Sequence, residues 1–116
     1  PRAVPRRGGA CRFGVESSDM TDWAAGSRPS VQGGIYLSLD LDGLDPAHAP
    51  GVSHREPGGL TVREVLTLVQ GCGGVLAGAD VVEYNPHQDA AGVTAVVAAK
   101  LVREIAGRMM TEAAAR

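Results

Sequence analysis

The chain has 116 residues, which bounds it to one domain at most, near the lower range for a self-sufficient core. Its 44% hydrophobic content is ordinary for a globular protein, whereas 3% aromatic is low, and small residues such as Gly and Ala take the space. A net charge of -2 leaves no basic surplus for neutralising phosphates, which argues against nucleic acid or an anionic membrane as partner, and no apolar run approaches the ~18 residues of a membrane span. Cys11 and Cys72 lie far apart and form no CxxC, so they read as ordinary reduced cysteines rather than a disulfide framework or a zinc site.

Residues 1–34 are rich in Gly, Pro, Ser and Arg and read as a loop-rich lead-in, with a short helix expected over Ser18–Ala25. Phe13 and Trp23 are its large apolar anchors. The chain opens with Pro1 rather than Met, as expected of a fragment or a processed product. Arg2, Arg6, Arg7 and Arg12 stand without an acid among them, a bias also found in transit peptides.

Residues 35–116 read as strand, helix, strand, helix. Ile35–Leu39 opens as a short apolar run of strand length and is expected to be buried. Thr61-Val62-Arg63-Glu64 has the form of a capping box, in which hydroxyl and carboxylate exchange bonds with each other's backbone N–H. The helix it starts puts Val62, Val65, Leu66 and Val69 on one face and stops at Gly71. Val75–Val82 suits a second buried strand. After the Asn85-Pro86 break, Val93 to about Met110 is expected as a long helix with Val93, Val97, Leu101 and Ile105 in one stripe, and Thr111–Arg116 as its fraying end. Short connections between these elements predict a right-handed βαβ unit with parallel strands. In such sheets function gathers beyond the carboxyl ends of the strands, where Asp40, Asp42 and Glu83 all fall.

The first strand delivers three aspartates, Asp40, Asp42 and Asp45, within six residues, ahead of a loop holding His48 and His54. On spacing alone two readings stand, a solvated turn and a ligand set for a hard divalent cation such as Mg, Ca or Mn. An EF-hand loop starting at Asp40 would need Gly at its sixth position and Glu at its twelfth, which hold Asp45 and Gly51, so that motif is absent. Asp45, followed by Pro46, is expected to brace the loop through backbone hydrogen bonds. Gly58 and Gly59 suit a tight turn into the helix rather than a phosphate cradle. His48 and the pair His87 and Asp89 read as exposed loop polarity.

Ser38-Leu39-Asp40-Leu41-Asp42-Gly43-Leu44-Asp45-Pro46 resembles the S-x-D-x-D-x-x-D-P signature of the ureohydrolases, the arginase and agmatinase family. The longer run Gly51–Leu66, then GADVVEYNP and TAVVAAKLVREIA, is most similar to plant-type arginases, and the likeness extends from about Arg12 to the last helix. Because Arg12–Glu16 already resembles an internal segment of that family, the arginine cluster reads as a solvated surface segment of the mature chain. The resemblance implies an arginase-like three-layer α/β/α fold, a parallel sheet with helices on both faces, of which residues 35–116 form the C-terminal βαβα part. It implies a two-manganese site with Asp40 and Asp42 among its ligands. Glu83 matches the family's glutamate for the substrate guanidinium, which a carboxylate can grip with both oxygens. His54 falls near the family's substrate pocket and is expected to help shape specificity.

The reaction implied is hydrolysis of the guanidinium group of L-arginine to ornithine and urea, in a homo-oligomeric parent located in mitochondria or plastids. Agmatine or another guanidino compound is the alternative substrate class, and a non-catalytic assembly piece is the alternative outside enzymes. Motifs of the D-A-H-x-D kind, which in the family supply the remaining ligands, do not occur in this sequence. The resemblance therefore points to the C-terminal part of such an enzyme, with no catalytic proton shuttle of its own, and the chain by itself is expected to be inactive.

Overall fold

The computed structural model describes residues 4–5, 11–12, 34–72 and 74–115. The helix expected over Ser18–Ala25, with Phe13 and Trp23, lies outside the described residues. In the lead-in, β1 (Val4–Pro5) pairs antiparallel with β2 (Cys11–Arg12), a ladder that the loop-rich composition does not announce.

Then follow β3 (Gly34–Asp40), a 3-10 turn over Leu41–Gly43, helix α1 (Val62–Gly71), β4 (Val75–Val82) and helix α2 (Val93–Ala114). β3 and β4 are parallel neighbours, in register from Gly34 opposite Val75 to Asp40 opposite Val82, with one irregularity between Ile35 and Tyr36. The class is α/β, and the strand–helix–strand order meets the expected βαβ unit.

β3 was expected to be buried, but it buries one face. Ile35, Leu37 and Leu39 face the core with Leu76, Ala79 and Val81 of β4, and both helices add residues to the same cluster. The alternate residues are polar: the Tyr36 and Ser38 hydroxyls donate to the two oxygens of Asp80 at 3.1 and 2.7 Å. Tyr36 is 65% exposed, so among the described residues nothing covers this face. Alternation of period two made the difference, since every second side chain of β3 points away from the helices.

The acidic loop is held by its apolar residues. Leu41 and Leu44 are fully buried, each by the rule of area contributing about 1.5–3 kcal/mol, and the aspartates between and beside them are thereby turned outward. Asp45 closes the loop as expected. Its carboxylate accepts from Ala47 N and Gly58 N, each at 2.8 Å, and its own N–H donates to Leu60 O at 2.9 Å. The N–H donors of Ala47 and Gly58 hold its carboxyl below the usual aspartate range. Gly59 packs so tightly here that a Cβ would stand 2.6 Å from Asp45 N, and Gly58 beside it has φ +90°. His48, read as exposed, is half-buried, its N–H bonded to Asp45 O.

α1 starts at the predicted capping box. Thr61 Oγ1 accepts from Glu64 N at 3.2 Å and Glu64 Oε2 accepts from Thr61 N at 2.8 Å. Val65, Leu66 and Val69 face inward at helical spacing. α2 departs from expectation at both ends. Val93, placed in the inner stripe, is 43% exposed, and Thr94 is buried in its stead, its hydroxyl accepting from Gly51 N at 2.7 Å. The supposed fraying tail remains helical to Ala114, because Glu112 accepts from Leu76 N and Arg108 Nε. Arg108 also donates to Val69 O near the end of α1 and to Gly74 O just before β4.

Asp89, read from the sequence as loop polarity, is instead buried, and its carboxylate serves the first turn of α2 ahead of the N-cap residue Gly92. Only 7% exposed, it accepts from Thr94 N, Ala95 N and the Tyr84 hydroxyl at 3.1, 2.8 and 3.2 Å. Burial, the largest single influence, pushes its carboxyl up, but the donors together bring it below the usual range. Asp45 and Asp89 thus have folded pKa values below the ordinary 3.8, so the stability they contribute is whole above that value and is lost as pH falls through their folded values. Asp89→Asn should be less stable than wild type near neutrality and converge with it under acid. Thermal melts followed by circular dichroism between about pH 6 and pH 2 measure this. Parallel stability curves for the two proteins would show that the Asp89 carboxylate is not part of the acid transition.

Candidate functional site

β3 and β4 end side by side, and each exit delivers acids. Asp40 is the last residue of β3 and lies opposite Val82, after which comes Glu83. Asp40 Oδ1 accepts from Asp42 N at 2.9 Å, the short-range bond by which an aspartate starts a helical turn. That bond and the burial of Leu41 between them fix the spacing of Asp40 and Asp42.

The 51–55 loop then brings His54 back. His54 Nδ1 lies 3.3 Å from Asp42 Oδ2, and His54 N donates to Asp42 Oδ1 at 3.4 Å. The imidazole is 85% exposed, so this contact, open to solvent, adds little to stability. It does orient the ring. Asp42, His54 and Glu83 each offer one ligand atom, and these atoms all lie within 4.8 Å of one another.

Of the sequence-predicted residues, the fold thus brings together Asp42, His54 and Glu83. Asp40 stands beside them with one oxygen engaged by Asp42 N. His87 is exposed in the following turn.

Glu83 is the one non-glycine residue with positive φ among the described residues, at +67°. For an L-residue the left-handed region costs about 1–2 kcal/mol, and such strain concentrates at functional sites. Its neighbours explain how the chain sustains it. Before Glu83, β4 pairs in parallel with β3; after it, Tyr84 bridges antiparallel to Val52, and Asn85 N donates to Gly51 O at 2.8 Å. The chain changes pairing partner at this single residue.

Several residues that hold the site escaped sequence reasoning. Arg55 donates through Nε to Pro50 O at 2.7 Å and through its terminal nitrogen to Gln88 Oε1 at 2.9 Å, tying the 50–55 loop to the turn after Asn85. Asn85 reaches Ser53. Nothing local announces these contacts, which join segments about thirty residues apart in the sequence.

Residues 14–107 match the family model described as Arginase family. The chain belongs to the arginase family. A mitochondrial arginase of Medicago truncatula is 48% identical over 107 residues, covering 84% of this chain and 31% of that protein. A guanidinobutyrase of Pseudomonas aeruginosa is 45% identical over 80 residues, covering 67% of this chain and 25% of that protein. Among solved structures, arginase from Medicago truncatula superposes with a TM-score of 0.62 at 59% identity, over 64% of this chain and 24% of that one. A hypothetical agmatinase from Burkholderia thailandensis gives 0.67 at 41% identity, over 72% and 28%.

The chain spans about a third of the length of the curated arginase it matches, 31%. The arginase-family fold expected from the S-x-D-x-D-x-x-D-P run is therefore shown for the part present. Among the described residues no helix is long and apolar enough to cross a membrane.

If the Glu83 backbone is strained for the sake of its side chain, removing the side chain should relieve the fold. Glu83→Gly should keep or raise the melting temperature, while Glu83→Val, β-branched at positive φ, should lower it. Equal melting temperatures for the two variants would show that the left-handed conformation carries no strain.

Proposed function

We propose that this chain takes part in manganese-dependent hydrolysis of the guanidinium group of L-arginine to ornithine and urea. What supports this most is the convergence of Asp42, His54 and Glu83 at the carboxyl ends of two adjacent parallel strands in an arginase-family chain. The carboxylates fit a hard divalent ion, since carboxylate oxygen suits manganese. Asp40 and Asp42 would hold the metal. Bound there, divalent metal would acidify a water and polarise the group under attack. These residues are fewer than the six or so donors one such ion takes, so the proposed centre draws further ligands from beyond the described residues.

Glu83 takes the substrate. The guanidinium is a planar fork of N–H donors, and a carboxylate facing it with two oxygens fixes its plane as well as balancing its charge. His54, bonded to Asp42 and exposed at the rim, shapes which substrate enters. A different guanidino compound is the second reading, favoured by the guanidinobutyrase and agmatinase similarities at 45% and 41% identity. By likeness to relatives named mitochondrial or chloroplastic, we place the parent protein in one of those organelles.

Metal analysis beside steady-state kinetics separates the roles. Asp40→Ala and Asp42→Ala in the whole protein should lose manganese and turnover together. Glu83→Ala should keep its manganese while kcat/KM for L-arginine falls at least about ten- to two-hundredfold, the loss of one charge-assisted hydrogen bond. Glu83 lies within ligand distance of Asp42 and His54, so the metal content of Glu83→Ala is the discriminating number: loss of metal there would make Glu83 a ligand instead.

A further inference from the structure

We propose that Asn85 is a positioning residue that sets the gap between Glu83 and the Asp42–His54 pair, an inference resting on the roles proposed above. Asn85 makes four bonds around the point where the pairing of the chain changes, one of them through its carbonyl, which accepts from Gln88 N at 3.1 Å. Its N–H donates to Gly51 O at 2.8 Å. Its side-chain oxygen accepts from His87 N at 3.0 Å, closing the turn that follows. That bond settles the amide orientation, because a backbone N–H must face oxygen, and the Nδ2 group is left to donate to Ser53 Oγ at 2.9 Å.

Ser53 immediately precedes His54, and Asn85 lies two residues beyond Glu83. The amide therefore ties together the two segments that carry opposite sides of the site. Backbone pairing at Val52–Tyr84 and Gly51–Asn85 sets the register of the two segments. The Asn85–Ser53 bond acts one residue nearer the site, holding the exposed end of the loop against the β4 exit. Without it, among the described residues, the hydrogen bonds holding segment 53–54 are the long contacts of His54 to Asp42 and the neighbouring ones of Arg55. His54 and Glu83 face each other across the site, so a small drift of the 53–54 segment moves the rim through which a guanidinium reaches Glu83 and is felt as poorer substrate binding.

The test uses the whole manganese-loaded protein and two changes on opposite ends of the bond. Ser53→Ala, at an exposed position, and Asn85→Ala should each raise KM for L-arginine about three- to tenfold, the range expected for one neutral hydrogen bond. Manganese content should be unchanged in both, and Ser53→Thr, which keeps the hydroxyl, should restore the wild-type KM. The double variant should be no worse than Asn85→Ala, since both remove one interaction. Calorimetric titration of L-arginine into the metal-free protein should show the same loss without any turnover.

An unchanged KM and affinity in Ser53→Ala, in a protein where Glu83→Ala is crippled, overturns the positioning role and leaves the proposed function standing. A wild-type protein that hydrolyses no guanidino compound overturns both. A fall in stability of Asn85→Ala with KM intact assigns the residue to folding alone and also overturns the proposal.

Discussion

The geometry of the site depends on how Asp45 closes the loop behind it. One carboxylate gathers N–H groups from both ends of the segment 45–58, and the same residue's backbone N–H reaches Leu60. The loop is thereby pinned at its base, with Leu41 and Leu44 sunk in the core and α1 starting at Thr61 directly after it. A carboxylate satisfied by backbone donors is a poor metal ligand, which explains why, of three aspartates so close in sequence, this one belongs to the scaffold. The two aspartates before it stand outside this closure, Asp40 exposed and Asp42 half-buried beside His54.

Metal-type sites gather like charges, and folding must counter their repulsion. Here Asp42 and Glu83 approach each other at the end of two strands whose parallel pairing leaves them no choice of direction. The opposing interactions sit one layer back. Asp89 anchors the start of α2 and the Tyr84 hydroxyl, Thr94 anchors Gly51, and Arg55 joins Pro50 to Gln88. The tight approach at Gly51, where a Cβ would lie 2.4 Å from that of Asp89, shows how closely the loop is drawn onto this layer. Strain at Glu83 persists because its neighbours on both sides are fixed by such bonds.

What was legible in the sequence was local. The capping box, the limits of β4 and the start of α2 follow from spacing within one turn or one strand, and the structure has them at Thr61, Val75–Val82 and Val93. The likeness of S-x-D-x-D-x-x-D-P to the ureohydrolases led to the right family because the motif is itself a local arrangement. Contacts between distant segments were not legible. Asp89 escaped too, although its partners Tyr84, Thr94 and Ala95 all lie within six residues, because it stands ahead of the N-cap Gly92 rather than at it, and a positive φ at Glu83 contradicts local preference. Val93 was assigned inward by hydrophobicity, whereas hydrogen bonding drew Thr94 in; a polar residue with a waiting donor can displace an apolar one.

α2 is fastened at both extremities. Near its start are Asp89, Thr94 and the site loop, and near its end Arg108 and Glu112 grip the finish of α1 and the beginning of β4. With 22 residues at about 1.5 Å each, it runs for about 33 Å between those clasps. Local opening that frees one clasp must fray α2 from that side, so amide exchange should group the entrance of β4, the exit of α1 and the last turns of α2 as one unit, and the catalytic-side loops with the first turns as another. The expected boundary between the two units lies within the helix, around the fully buried Leu101, rather than at a loop.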